Sequence, residues 1–295
     1  MKIAAAQLSC APADVSANAA RAAALAVRAR AEGADLVLFP ELTLTGYELS
    51  ALAADPGLWL TGPGDPRLDP VRSAGIATAV NVALRVDGPR PVIATLVHDA
   101  DGAHVTTYAK QHLFRHEQDL FAAGGVPGRF ELGGIRFSLG ICYDNHFADV
   151  PGAGAAAGCR VHLASSLYGT GDGIAERAAV HPGIARDHGM YVALANHVGP
   201  AGPWTGCGGA AVWAPDGTPL AEADGRTASL AVAEIPAGIQ AEVPAEIPAE
   251  IPAEVPAEVP AEIPAEVPAE VPAAAPAGEP RATAGALPAR LRNSP

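Results

Sequence analysis

Over residues 241–272 the chain reads as eight consecutive tetrapeptides of the form AEVP or AEIP. A proline at every fourth position removes helical N–H donors and drives each preceding Val or Ile into an extended conformation. A helix is excluded over this stretch, and a central strand is disfavoured because proline cannot donate to a ladder. The composition predicts a solvated, partly polyproline-like arm, which at ~3.1 Å per residue would reach roughly 100 Å when fully extended. Residues 237–295 carry nine Glu against three Arg, and so six of the thirteen net negative charges. The expectation is a disordered low-complexity tail over 237–295, serving either as a spacer or as an arm that binds a partner or wraps an oligomer. A packed fold must then come from residues 1–236.

That stretch is long enough for one large domain with a sizeable core. Across the chain 49% of residues are hydrophobic but only 5% aromatic, so the core is expected to rest on small and aliphatic side chains. The net charge of −13 argues against nucleic acid or an anionic membrane as a main partner. The four cysteines, Cys10, Cys142, Cys159 and Cys207, form no C-x-x-C pair, which fits a reducing compartment better than a disulfide framework. MKIAAAQLSC turns polar too early for a signal peptide, and no apolar run reaches the ~18 residues of a membrane span. The expected protein is soluble and cytoplasmic.

Within 1–236, strand-like apolar runs alternate with Ala-rich stretches. MKIAAAQLS reads as a first strand, residues 16–32 as a helix ending at Gly33, and ADLVLFP as a strand buried on both faces. A second helix is predicted over 70–84. PVIATLVHD and HVTTYAKQHL form a predicted hairpin turning at 99–102, and FELGGIRFSLGIC another turning at 133–134. VHLAS, a helix over 174–188 and MYVALAN continue the alternation. GGAAVWAPDGTPLAEA pairs two short strands around Pro-Asp-Gly, and ASLAVAEI closes the domain. Mixed hairpins and helix crossovers point to an α/β or α+β layered domain.

Four residues stand out for chemistry. Glu41 directly follows the run DLVLFP, Lys110 ends the strand HVTTYAK, Glu117 comes seven residues later, and Cys142 ends IRFSLGI. Sheet-based enzymes gather their sites at the carboxyl ends of strands, and a Cys at a strand-to-turn corner is presented like the nucleophile of an elbow. Lys110 is one of only two Lys beside 17 Arg, which suggests a position where a compact ammonium serves and a planar guanidinium does not. Each residue alone also has an ordinary reading: Cys142 as a small buried hydrophobe, Glu41 as a cap, Lys110 with Glu117 as a surface ion pair. His112 and His116, at i and i+4, hint at zinc, but no third ligand lies at motif spacing, and no metal is expected. His181, His188 and His197 could line the pocket, but each reads first as a satisfied structural histidine.

LFPELTLTGYE, YAKQHLFRHEQDLF and GICYD, in that order, resemble the three signature segments of the nitrilase, or carbon–nitrogen hydrolase, family. DHGMYVALAN and GGAAVWAPDGTPLAEA are similar to two further segments, so the resemblance spans nearly all of 1–236 and none of the tail. It implies a nitrilase-like αββα sandwich, usually dimerised so that the sheets continue into a four-layer assembly. It also implies a cysteine amidohydrolase that needs no cofactor, with Cys142 as nucleophile, Glu41 as general base, Lys110 as oxyanion stabiliser and Glu117 holding Lys110. The backbone N–H of Tyr143 would join Lys110 at the oxyanion, and Tyr47 and His146 are the further residues expected at the substrate site. The implied partners are a small amide substrate and a second copy of the chain, with neither nucleic acid nor membrane.

Cys142-Tyr143-Asp144 is similar to the amidase branch, whereas nitrilases proper usually carry Trp-Glu after the nucleophile. The implied reaction is cleavage of a non-peptide C–N bond in a small linear amide or N-carbamoyl amine through a thioester, releasing ammonia or an amine. Two other readings stay open: acyl transfer to an amine on the same thioester, and a non-catalytic scaffold acting through the repeat arm. The chain departs from the family pattern after the nucleophile. NHFADVPGAGAAAG stands where Arg-Phe-Pro-Glu and a well-formed helix are usual, and Pro151, Gly152 and Gly154 are expected to weaken that helix. Asn145 and His146 are expected to reshape the pocket wall. Asp187-His188 replaces Glu-Asn, and Ala210 a common Ser.

Overall fold

The structure, a computed structural model, describes residues 1–236; the tail expected over 237–295 lies outside the described residues. β1 (Lys2–Leu8) is buried at every position after Lys2, as befits a strand paired on both edges and covered on both faces. It runs parallel to β2 (Leu36–Leu38) and β9 (Tyr191–Ala201), and antiparallel to β13 (Ser229–Glu234). One wing continues from β2 to β3 (Ala77–Leu84), β4 (Val92–His98) and β5 (His104–Ala109). The other runs from β9 to β8 (Val161–Ser166), β7 (Ile135–Ile141) and β6 (Gly128–Leu132). The short strands β10 (Trp204–Cys207) and β11 (Ala211–Trp213) pair with β9, and β12 (Pro219–Glu222) pairs with β11. The two hairpins expected at 99–102 and 133–134 are the pairs β4–β5 and β6–β7.

The wings lie face to face, with β2 against β8 and β4 against β7. Period two divides each strand between two cores. Ile3, Ala5, Leu36, Leu38, Ile93, Phe137, Leu139 and Leu163 meet between the wings. Ala4, Ala6, Val37, Val80 and Val82 turn the other way, onto a layer that holds α1 (Val15–Ala31). Asp14 caps α1, its side chain accepting from the Ala17 N–H at 3.0 Å. Two short helices, α2 (Leu49–Ala54) and α3 (Asp69–Arg72), follow β2, and a third, α4 (Glu117–Leu120), follows β5. On the opposite face α5 (Asp149–Ala156) packs against β7, and α6 (Asp172–His188) covers Ala164, Val192 and Leu194. The layering is the αββα sandwich. No described helix is long and apolar enough to cross a membrane.

Two expectations change. The helix predicted over 70–84 is only the four residues of α3, followed by the strand β3. Gly75, with φ of 71°, turns the chain, and Thr78, Val80 and Val82 place β-branched side chains at period two in a run buried throughout. Pairing on both edges, with β2 and β4, overrides the helical preference of the intervening alanines. Conversely, α5 forms despite Pro151, Gly152 and Gly154. Pro151 lies in the first turn, where its missing N–H has no intrahelical role. Gly154 has a packing reason: a Cβ there would lie 2.5 Å from Ser138 Cβ on β7.

This contact decides the sign of a substitution. Helix propensity alone would make Gly154→Ala stabilising by about 1 kcal/mol. Overpacking against β7 opposes it with about 1–3 kcal/mol, so a net loss is expected, read as a lower denaturant midpoint at unchanged m-value. A raised midpoint would show that the contact relaxes freely.

Candidate active site

Three chain segments leave the sandwich at neighbouring strand ends and carry the expected residues. Glu41 follows β2, where the Leu42 N–H donates to Asn81 Oδ1 at 2.7 Å and the Thr43 N–H to the Asn81 carbonyl at 2.8 Å. Lys110 directly follows β5, its N–H bonded to the Ile93 carbonyl at 2.8 Å. Cys142 follows β7 and opens the 3-10 helix Cys142–His146. Among the described residues four non-glycines have positive φ, and three of them lie at these turns: Leu42 (48°), Arg115 (38°) and Cys142 (46°). Left-handed backbone at a leucine and a cysteine is strained, and persists only where the surroundings over-determine it.

The three charged side chains meet in a fully buried triad. Lys110 Nζ lies 2.6 Å from Glu41 Oε1, and 2.9 Å and 2.8 Å from the two oxygens of Glu117. Glu117 has no capacity left over: Oε1 also accepts from the Tyr47 hydroxyl at 2.6 Å, and Oε2 from the Phe114 N–H at 2.7 Å. Glu41 differs, because its Oε2 is buried with no hydrogen-bond partner. Burial pushes the Glu41 carboxyl up against the pull of Lys110, and the Glu117 charge pushes it further, to about 7. Burial alone would push the Lys110 ammonium down, but the two carboxylates outweigh it and hold the proton firmly. The triad thus contains a firmly held cation and a carboxyl poised to exchange a proton at neutral pH, with the fully hydrogen-bonded Glu117 beside them.

Cys142 keeps part of its surface accessible. Burial, followed by the Glu41 charge, raises its thiol well above the ordinary range, with Lys110 opposing. The resting Cys142 side chain is therefore a neutral thiol, which would need a base to act as a nucleophile. The Cys142 side chain is close enough to bias the Glu41 proton, and Glu41 has the oxygen to receive one. His197 holds Glu41 from behind, its Nε2 bonded to the Glu41 carbonyl; burial keeps the imidazole neutral, down to about 4.

Asp144, which sequence reasoning used only as a branch marker, ties the segments together. Its Oδ1 accepts from the Gln111 and His112 N–H groups at 3.0 Å and 2.8 Å. Its Oδ2 accepts from the Tyr108 hydroxyl at 2.8 Å and the Ile141 N–H at 3.0 Å. The loop after Lys110 is thereby clamped to the turn that bears Cys142. Tyr47 is placed against Glu117. His146 lies on the other side of the turn, 3.4 Å from the Tyr168 hydroxyl and 3.5 Å from Glu176 Oε1, with its ring beside Tyr143. Tyr168 and Glu176 have no motif signal; only the fold brings β8 and α6 to His146. His112 stacks on Phe147 at 3.8 Å and faces Asp149, while His116 is exposed beside Asp119. Among the described residues no group of three His, Cys, Asp or Glu could hold a metal ion.

Removing the cation should expose how the triad is held. Lys110→Met leaves two buried carboxylates unpaired, a change worth about 3–5 kcal/mol. The loss should be larger at pH 8 than at pH 5, because protonated carboxyls need no cation; equal losses at both values in denaturant unfolding would contradict a charged triad.

The chain is similar to several known proteins. The profile of a family described as Carbon-nitrogen hydrolase matches residues 2–243. Over 175 residues the chain is 33% identical to the glutamine-dependent NAD(+) synthetase of Rhodobacter capsulatus, a match covering 54% of this chain and 30% of the synthetase. It is 30% identical over 222 residues to the "hydrolase in pqqF 5'region" of Pseudomonas protegens, covering 71% of this chain and 74% of that one. Among solved structures it is similar, with a TM-score of 0.72 and 30% identity, to a glutamate-to-glutamine mutant of the amidase from Nesterenkonia sp. AN1. That structure shows the Michael addition of acrylamide at the active site cysteine, and the match covers 80% of this chain and 94% of the amidase. With the family profile spanning the whole sandwich, the chain belongs to the carbon–nitrogen hydrolase family.

Proposed function

We propose that the protein is a cysteine amidohydrolase that cleaves the C–N bond of a small linear amide or N-carbamoyl amine through a thioester. The observation that carries this reading is the buried Glu41–Lys110–Glu117 triad, with one unpartnered Glu41 oxygen beside a neutral Cys142 thiol. The active-site cysteine of the similar Nesterenkonia amidase supports it.

In acylation the Cys142 proton passes to Glu41 as Sγ bonds to the amide carbon, and the carbonyl π pair moves onto oxygen. Lys110 and the Tyr143 N–H stabilise that oxyanion, the term that usually dominates acyl transfer. When the carbonyl re-forms, the C–N bond breaks and Glu41 returns its proton to the leaving amine or ammonia. Water then gives a proton to Glu41 and its oxygen to the thioester carbon; the C–S bond breaks and the thiol is restored. Glu117, with both oxygens hydrogen-bonded, takes no part in the proton transfers of this cycle. It keeps Lys110 charged while Glu41 alternates between its two states. All four cysteines are free, which supports a reducing, cytoplasmic setting, and the family resemblance supports a homodimer.

Ammonia release from a panel of linear amides, carbamoyl amines and nitriles tests the assignment. Amides or carbamoyl amines should be turned over faster than nitriles, and Cys142→Ala should abolish release. Glu41→Gln should lower kcat/KM by about 10²–10⁴. Because the base must be unprotonated, wild-type kcat/KM should fall as pH drops through the Glu41 value of about 7. Turnover by Cys142→Ala at the wild-type rate would end the thioester reading. A chain ending at residue 236 should keep its turnover; loss of activity together with loss of the dimer would give the tail a structural role.

A further inference from the structure

Asn145, His162 and Ser138 have no part in the proton transfers above, yet all three are buried behind the nucleophile. They form one hydrogen-bonded chain. Asn145 Nδ2 donates to the Cys142 carbonyl at 3.0 Å. Asn145 Oδ1 lies 2.7 Å from His162 Nε2, and His162 Nδ1 lies 2.9 Å from Ser138 Oγ. The protons follow from the groups available. Since the Asn145 amide N–H faces a carbonyl, its oxygen must accept, so His162 carries its proton on Nε2. Nδ1 then accepts from the Ser138 hydroxyl. The donors and acceptors alternate without conflict along the chain, and burial holds the imidazole neutral, down to about 3.

The backbone around the chain leaves room for it. A Cβ on Gly140 would lie 2.7 Å from Asn145 Oδ1 and 2.9 Å from His162 Nε2. A Cβ on Gly154 would lie 2.6 Å from Ser138 Oγ. One glycine on β7 and one on α5 thus admit the two ends of the polar chain.

The last bond of the chain explains its use. The Cys142 C=O and the Tyr143 N–H belong to one rigid peptide plane and point in opposite directions. A bond that fixes the carbonyl fixes the N–H too, and by polarising the amide it makes that N–H a better donor. The 3-10 helix at Cys142–His146 is a weak clamp by itself, because its hydrogen bonds have poorer geometry and Cys142 sits at a strained φ of 46°. We infer that Asn145, held by His162 and Ser138, is a positioning residue that sets the Cys142–Tyr143 peptide plane and aims the Tyr143 N–H at the oxyanion. This rests on the oxyanion role proposed above for that N–H.

Two reagents at Cys142 separate nucleophile from oxyanion site. Iodoacetamide alkylates the thiol by displacing iodide at carbon and creates no oxyanion. Butyraldehyde adds the thiol across its carbonyl, the π pair moving onto oxygen and the thiol proton passing to Glu41, and so protects Cys142 from alkylation. Mass spectrometry follows modification at Cys142 in the wild type, Asn145→Leu and Ser138→Ala, with circular dichroism to confirm folding. For Asn145→Leu, alkylation should stay within about twofold of wild type while butyraldehyde protection weakens by about 10–100-fold, somewhat less than outright loss of an oxyanion donor. For the best amide of the panel, kcat should fall by a similar factor with KM little changed. Ser138→Ala should show the same split at about 2–5-fold, since Asn145 stays in place with its support loosened; it decides the matter if Asn145→Leu does not fold. Parallel losses in alkylation and protection would overturn the inference, because the chain would then shape the whole turn. Unchanged protection and kcat would overturn it as well. If butyraldehyde fails to protect the wild type, or Cys142→Ala retains turnover, the underlying oxyanion reading falls first, whatever the variants do.

Discussion

The structure depends on one ammonium group placed where water cannot reach it. Lys110 is fully buried between two carboxylates that are themselves buried, and each of these ions has lost several kcal/mol of hydration. Such a triad persists only if its partners are placed closely and its remaining lone pairs are matched. Glu117 meets that condition through Tyr47 and the Phe114 N–H. Glu41 does not: one oxygen is left without a partner. The triad therefore carries its imbalance at a single atom, Glu41 Oε2. A fully satisfied triad would be more stable and would have no reason to take a proton from a thiol.

This requirement explains much of the fold around it. The triad draws on the ends of β2 and β5 and on the start of α4, so these segments must be held in register far more tightly than loops usually are. Asn81 grips the turn at Leu42, Asp144 joins the Lys110 loop to the Cys142 turn, and His197 holds the Glu41 carbonyl. These anchors are uncharged or fully hydrogen-bonded, so they add rigidity without competing with Lys110 for the carboxylates. The strained φ values at Leu42 and Cys142 are sustained by the same contacts.

How much of this was legible in the sequence follows from the range of each interaction. The strand runs and the hairpins were readable, since period-two burial leaves a local pattern; Glu41, Lys110, Glu117 and Cys142 each had an ordinary reading alone, and only the family resemblance singled them out as a set. β3 was misread because alanine favours a helix when considered alone, and only β2 and β4 on either edge settle it. α5 looked weak because Gly154 is unfavourable in an isolated helix; its reason is Ser138, sixteen residues back on β7. Tyr168 and Glu176 were invisible for the same cause. Their relation to His146 exists only once β8 and α6 are laid beside the Cys142 turn. Asp144 was present in the motif, but four bonds to two different segments could not be inferred from one aspartate.

The polar chain behind Cys142 is electrically separate from the buried triad. Lys110 must stay charged for the triad to work, and any second cation nearby would pull Glu41 down and blunt it as a base. His162 is the titratable group of this chain, and burial keeps it neutral. It can therefore orient Asn145 by hydrogen bonding alone, without altering the field at Glu41. The neutral chain from β7 and β8 holds the Cys142 carbonyl, Asp144 clamps the turn to the Lys110 loop, and the charged groups after β2 and β5 set proton affinity. Cys142 lies where the two systems meet, which is why its backbone can be strained and held while its thiol remains free to react.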